Sequence, residues 1–144
     1  MISDELREAY EQTNYVVEVS RTQEITLRVG EQNSTLDQML RARATSDWAF
    51  VTAYNPRSVS LPNEVNEARH QELLRRTRLL NYRTLPGRGE GDDASWPAEK
   101  SLFIFDITVA AARSLGREFG QHAVVVGTRG GPARLLFVES EIES

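Results

Sequence analysis

Asn55, Arg57 and Ser58 stand at the abrupt end of an uncharged run that begins at Trp48, where apolar residues give way to an Asn-Pro turn. Sheets tend to bind ligands in the crevice beyond their strand ends, so an amide, a guanidinium and a hydroxyl gathered there could hold a small polar ligand. A helix opening near Asn63 would bring free N–H groups close by, and Arg57 would supply a counter-charge. The ligand this points to is a small anion or a nucleotide-like molecule. The same residues also have a structural reading, in which Asn55-Pro56 makes a turn, Ser58 satisfies local backbone and Arg57 is solvated.

Further candidates lie downstream. On the helix, stepping back from Leu73 by four and by seven residues reaches Arg69 and Asn66, which places two polar side chains on the apolar stripe. They sit either beyond the edge of the core or buried and hydrogen-bonded. Gly87, Gly89 and Gly91 precede Asp92 and Asp93. Glycines admit a phosphate to backbone amides and the acidic pair could hold Mg2+, yet the spacing matches neither the dinucleotide nor the P-loop signature, and a mobile surface loop is the plainer reading. Trp96, flanked by Pro97, either anchors that loop or offers a stacking platform. Glu99 precedes an apolar strand while Gln121 and His122 follow a helix, so they could converge at one sheet edge, with Glu99 as acid/base, ion-pair partner or plain surface residue. Arg75, Arg76, Arg78 and Arg83 form a basic strip that could meet an acidic partner or nucleic acid, or be a solvated face.

Composition bounds these readings. The 144 residues carry 17 basic and 21 acidic side chains, a net charge of -4, which argues against sequence-independent nucleic-acid binding. Lys100 is the only lysine, so the basic side chains are those suited to bidentate recognition. Without cysteine there are no disulfides or thiolate metal sites, and two histidines supply no metal-ligand spacing. No familiar nucleotide, hydrolase or zinc motif occurs, and no cofactor is implied. The N-terminus lacks an export signal and no stretch is apolar enough to span a bilayer, so a cytoplasmic location is expected, with no membrane partner.

The elements that must position these residues follow from periodicity. Ser3 caps a short amphipathic helix to about residue 12 that acts as a lid, with Leu6, Ala9 and Tyr10 inward. Residues 15–20 and 24–29 alternate as an antiparallel hairpin. Ser34 and Asp37 open a second helix as a capping box, and Asn63 caps the longest helix, to about Leu80. Tyr82 to Leu85 reads as a short edge strand, followed by a loop through Pro97. Leu102 to Phe105 is a second central strand. A helix from Asp106 or Thr108 ends at Gly120, and a closing hairpin turns at Gly130-Gly131-Pro132. The result is a single α+β domain over residues 1–138, a twisted mixed or antiparallel sheet with terminal hairpins and helices mainly on one face, then an acidic tail at 139–144.

The block Trp48 to Ser58, most specifically its Thr52-Ala-Tyr-Asn-Pro, the helix Asn63 to Leu73, Gly87-Arg-Gly-Glu-Gly with Trp96-Pro-Ala-Glu99, and Leu115 to Gln121 together resemble the bacterial family catalogued as domain of unknown function 3293. The likeness implies a single small bacterial domain and supplies no mechanism. It groups Thr52, Asn55, Ser58, Asn66, Arg69, Gly87, Gly89, Trp96, Glu99 and Gln121, the positions that the strand-end and helix-wheel arguments select. Two readings follow. One is a ligand-binding pocket built from these residues, with Glu99 as the acid/base if it is an enzyme. The other is a non-catalytic protein or nucleic-acid interaction module that uses the arginine-rich helix face.

Overall fold

The computed structural model describes residues 3–92 and 96–139. Helix α1 (Asp4–Glu11) leads into strands β1 (Asn14–Glu18) and β2 (Glu24–Leu27), then helix α2 (Ser34–Ala42) and strand β3 (Asp47–Thr52). Helix α3 (Asn63–Leu79), strands β4 (Thr84–Glu90) and β5 (Glu99–Phe105), helix α4 (Val109–Glu118) and strands β6 (Ala123–Thr128) and β7 (Arg134–Phe137) complete the chain. The seven strands form one antiparallel sheet in the order β2-β1-β4-β5-β3-β6-β7. The domain is therefore α+β, with β3 and β5 near its middle as their unbroken apolar runs require. No described helix is long and apolar enough to cross a membrane.

The sheet curls until its two edges meet in a bridge between Val29 and Ala133. Alternation along the strands then makes two cores. Tyr15, Val17, Ile25, Leu27, Trp48, Phe50, Phe103 and Phe105 point inside the curl, where Leu36, Met39 and Leu40 of α2 close one end. Ala49, Val51, Leu102, Ile104, Val124 and Val126 point outward under α3 and α4, which supply Leu73, Ala112 and Leu115. The other end of the curl is left to α1, which stands over it without burying any of its residues fully.

Two caps differ from expectation by one residue. Asn33, not Ser34, accepts the Leu36 N–H at 2.9 Å and caps α2. This frees Asp37 to accept the Gly130 N–H at 3.0 Å and pin the last hairpin. Asn63 is the first helical residue of α3 behind Pro62, with no side-chain cap.

The largest correction concerns residues 84–90. They are neither an edge strand nor a loop but an interior strand between β1 and β5, with Gly87 opposite both Val17 and Ser101. Gly87 is required there because a Cβ would lie 2.8 Å from the Phe50 ring and from the Val16 carbonyl oxygen. Of the residues expected to form the loop, Asp93, Ala94 and Ser95 lie outside the described residues, as does the tail beyond Glu139.

Candidate functional site

Strand β3 ends in a tight polar turn. Thr52 donates to the Lys100 carbonyl at 2.7 Å and accepts the Tyr54 N–H at 3.0 Å. Asn55, Arg57 and Ser58 then take left-handed conformations, with φ of 46°, 54° and 62°. Such backbone costs energy in a non-glycine residue and persists only where surrounding contacts over-determine it. Here they do. Asn66 accepts the Asn55 N–H at 2.9 Å and donates to its Oδ1 at 2.8 Å; the Leu61 N–H donates to the same oxygen at 3.0 Å. Gly120, itself at φ +70° beside Pro56, accepts the Arg57 N–H at 2.8 Å.

The effect of this bracing is felt at Glu99. Asn55 has one remaining donor, Nδ2, and it reaches Glu99 Oε2 at 2.8 Å. Trp96 Nε1 donates to the same oxygen at 3.2 Å. No described residue donates to the other oxygen, Oε1. Strand alternation decides what this carboxylate faces: Glu99 turns into the open end of the curl, whereas its neighbour Lys100 turns outward to Glu67 at 2.7 Å.

Between that open end and α1 lies a recess of about 340 Å3. Its walls are Leu6, Ala9 and Tyr10 of α1, Tyr15 and Phe50 from the strands, and Trp96 at 44% exposure; its polar groups include Asn55, Ser58, Glu99 and Gln121. Tyr15 meets Phe50 edge to face at 5.4 Å. Burial, reinforced by the negative charge of Glu99, pushes the Tyr10 hydroxyl up to about 12, against a smaller opposing pull from the Ala123 backbone. The Tyr15 hydroxyl is raised too, mainly by burial.

The expected site residues divide between the recess and its support. Asn55, Ser58, Gly89, Trp96, Glu99 and Gln121 line the hollow. Gln121, 8% exposed, also donates to the Tyr54 carbonyl at 3.0 Å. Asn66 lies behind the site, 4% exposed. Arg69 does not face the recess either, because its guanidinium is committed to the carbonyls of Ala53, at 2.7 Å, and of Phe119. Arg57 is exposed outside the lining, and Gly87 is wedged under the Phe50 ring. The two arginines assigned to an anion are thus both absent from the walls, and Glu99 is the one charge among the described lining residues.

A second hollow of about 540 Å3 lies on the outer face between α3 and β4–β5, lined by His70, Gln71, Arg88 and Lys100 among others. Its cations are already paired: Arg88 bridges Glu18, Glu24 and Glu90, and Lys100 meets Glu67. His70 is 7% exposed, packs edge-on to Tyr54, and has an Nδ1 without a hydrogen bond; burial lowers its pKa. Along the arginine strip, Arg75 pairs with Glu72, Arg76 with Glu118 and Arg83 with Asp106. That face is largely neutralised. No group of three or more described histidines or carboxylates is placed to hold a metal ion.

A family model described as a protein of unknown function, DUF3293, matches residues 51–124, half of the chain. The chain belongs to the DUF3293 family. No curated protein and no solved structure matches it. The DUF3293 segment runs from β3 to β6, so it contains Asn55, Asn66, Arg69, Trp96, Glu99 and Gln121. It ends short of α1 and β1, whose Leu6, Tyr10 and Tyr15 complete the recess. Those three walls were missed as site residues because an aromatic at helical or strand spacing reads as core. Their one sequence signal was the Leu6-Ala9-Tyr10 stripe on a helix too short to need a core of its own.

Proposed function

We propose that this protein is a small-molecule-binding domain whose ligand enters the recess beneath α1 and turns its polar end to Glu99. The observation that carries this is the half-satisfied carboxylate. Oε2 is held by two neutral donors while no described residue donates to Oε1, beside a hollow whose walls are otherwise mainly apolar. A small cavity of mostly apolar lining with a few convergent polar groups is the usual form of a ligand site, and about 340 Å3 is within the usual range.

The ligand must present a hydrogen-bond donor to Oε1 and a compact apolar body to the rings. Binding is favoured over acid/base chemistry. The other titratable side chains among the described lining residues, Tyr10 and Tyr15, are raised further above neutral pH, so neither pairs with Glu99 as a second acid/base group.

Tryptophan emission tests the reading. Of the two tryptophans, Trp48 is 2% exposed in the core and Trp96 is 44% exposed at the recess, so a bound ring should perturb Trp96 alone. Titration with one- and two-ring alcohols, amides and amines should change emission and raise the melting temperature. Trp96→Phe should abolish the emission change. Uniformly flat titrations would refute a ligand site here.

A further inference from the structure

We propose that the recess selects an organic cation, a small amine in its ammonium form, with N–H groups on Glu99 Oε1 and its body among Tyr10, Tyr15, Phe50 and Trp96. The inference rests on the reading of the recess as a ligand site and adds the charge of the ligand.

The argument begins with charge. The described lining residues contain one ionisable carboxylate and no lysine, arginine or histidine. Of the nearby cationic side chains, Arg69 is committed to two backbone carbonyls and Lys100 to Glu67, and Arg57 is exposed outside the lining. Asn55 and Trp96 satisfy Oε2 with neutral donors, which supply hydrogen bonds without cancelling the charge. A carboxylate at an apolar cavity favours a partner of opposite sign, and Glu99 lies close enough to add to the upward shift that burial gives the Tyr10 hydroxyl. An anion would meet repulsion there. A neutral alcohol would make one hydrogen bond and leave the charge unanswered.

Shape and wall chemistry agree. Four aromatic side chains line the hollow, and aromatic faces attract ammonium groups, most strongly when water is excluded. A hard metal ion would instead demand several oxygen ligands, which the described residues do not cluster. The matched chemistry is an ammonium on a short apolar stem.

Three probes of one shape separate the possibilities: phenethylammonium, 2-phenylethanol and 3-phenylpropionate, each titrated at millimolar concentration with calorimetry and Trp96 emission. Phenethylammonium should bind roughly tenfold tighter than the alcohol, and the carboxylate weakest of the three. Glu99→Gln keeps an oxygen for Asn55 and Trp96 and should weaken the ammonium far more than the alcohol, bringing the two to similar affinity. Should that variant not fold, the ranking of probes on the unaltered protein still decides. Equal affinity for amine and alcohol, preference for the carboxylate, or an ammonium preference that survives in Glu99→Gln would overturn the inference while leaving a ligand site in place. Failure of all three probes to bind would remove both.

Discussion

Glu67 and Glu99 stand on opposite sides of the same strand end and are satisfied in opposite ways. Glu67 on α3 uses both oxygens: Oε1 accepts from Lys100 at 2.7 Å and Tyr54 at 3.3 Å, and Oε2 from Gln71 at 3.0 Å. Glu99 takes its two described donors on Oε2, neither of them charged. The first carboxylate is closed into a network that ties α3 to β5. The second is held through one oxygen, with no described donor on the other. A group fixed by its supports yet left half-unsatisfied is what a ligand site needs, because orientation is prepared before binding.

That contrast predicts its own largest effect. Asn66 touches no part of the recess but holds Asn55 in its left-handed turn through three hydrogen bonds, counting the 3.3 Å bond to the Leu61 carbonyl. Asn66→Ala leaves buried partners unsatisfied and should cost about 2 to 4 kcal/mol in urea unfolding. Glu99→Gln, at the end of the same chain of bonds, should change stability by less than about 0.5 kcal/mol or raise it slightly, as expected where a residue serves binding more than folding. Equal losses for the two variants would mean that Glu99 belongs to the scaffold and would erase the distinction from Glu67.

The next effect belongs to β4 and explains what was legible in the sequence. The two central strands, the order of helices and the gathering of Asn55, Asn66, Glu99 and Gln121 around one strand end followed from apolar runs and helix spacing. The strand from Thr84 did not, because Pro86 and the glycines carry loop propensity. Yet Gly87 and Gly89 fall at a period of two with Arg88 and Glu90 alternating about them, which is a strand pattern, and at Gly87 the missing side chain admits the Phe50 ring. The direction of Arg69 was illegible for a different reason. A helix wheel assigns a stripe but not a depth, and a long side chain on that stripe can reach back to strand-end carbonyls instead of a cavity. Gly87→Ala should destabilise by about 1 to 3 kcal/mol through collision with Phe50 and the Val16 carbonyl. Gly89→Ala, whose Cβ would meet nothing closer than a Thr13 methyl at 3.8 Å, should cost far less. Urea midpoints of the two single variants measure the difference, and similar values would argue against the close approach at Phe50.

The smallest effect is read in pH and isolates Glu67. Donation from Lys100, and then from Gln71, holds its carboxyl down at about 2, from an ordinary value of 4.5. Between those values the unfolded chain binds more protons at this position than the folded one, so stability rises with pH across the window, is complete above 4.5 and is lost as pH falls toward 2. Glu24, Glu72 and Asp106 are also depressed by arginine or hydroxyl partners and add slopes of the same sign. The informative quantity is therefore the difference between the protein and Glu67→Gln. That difference should be largest at neutral pH and shrink toward the acid end as protonation removes the Lys100 pair from the unaltered chain. Because the pair is solvent-exposed, high salt should shrink it as well. A difference independent of pH would place the value of Glu67 in its neutral hydrogen bonds to Gln71 and Tyr54. The charge on α3 would then be incidental to the stability of the fold.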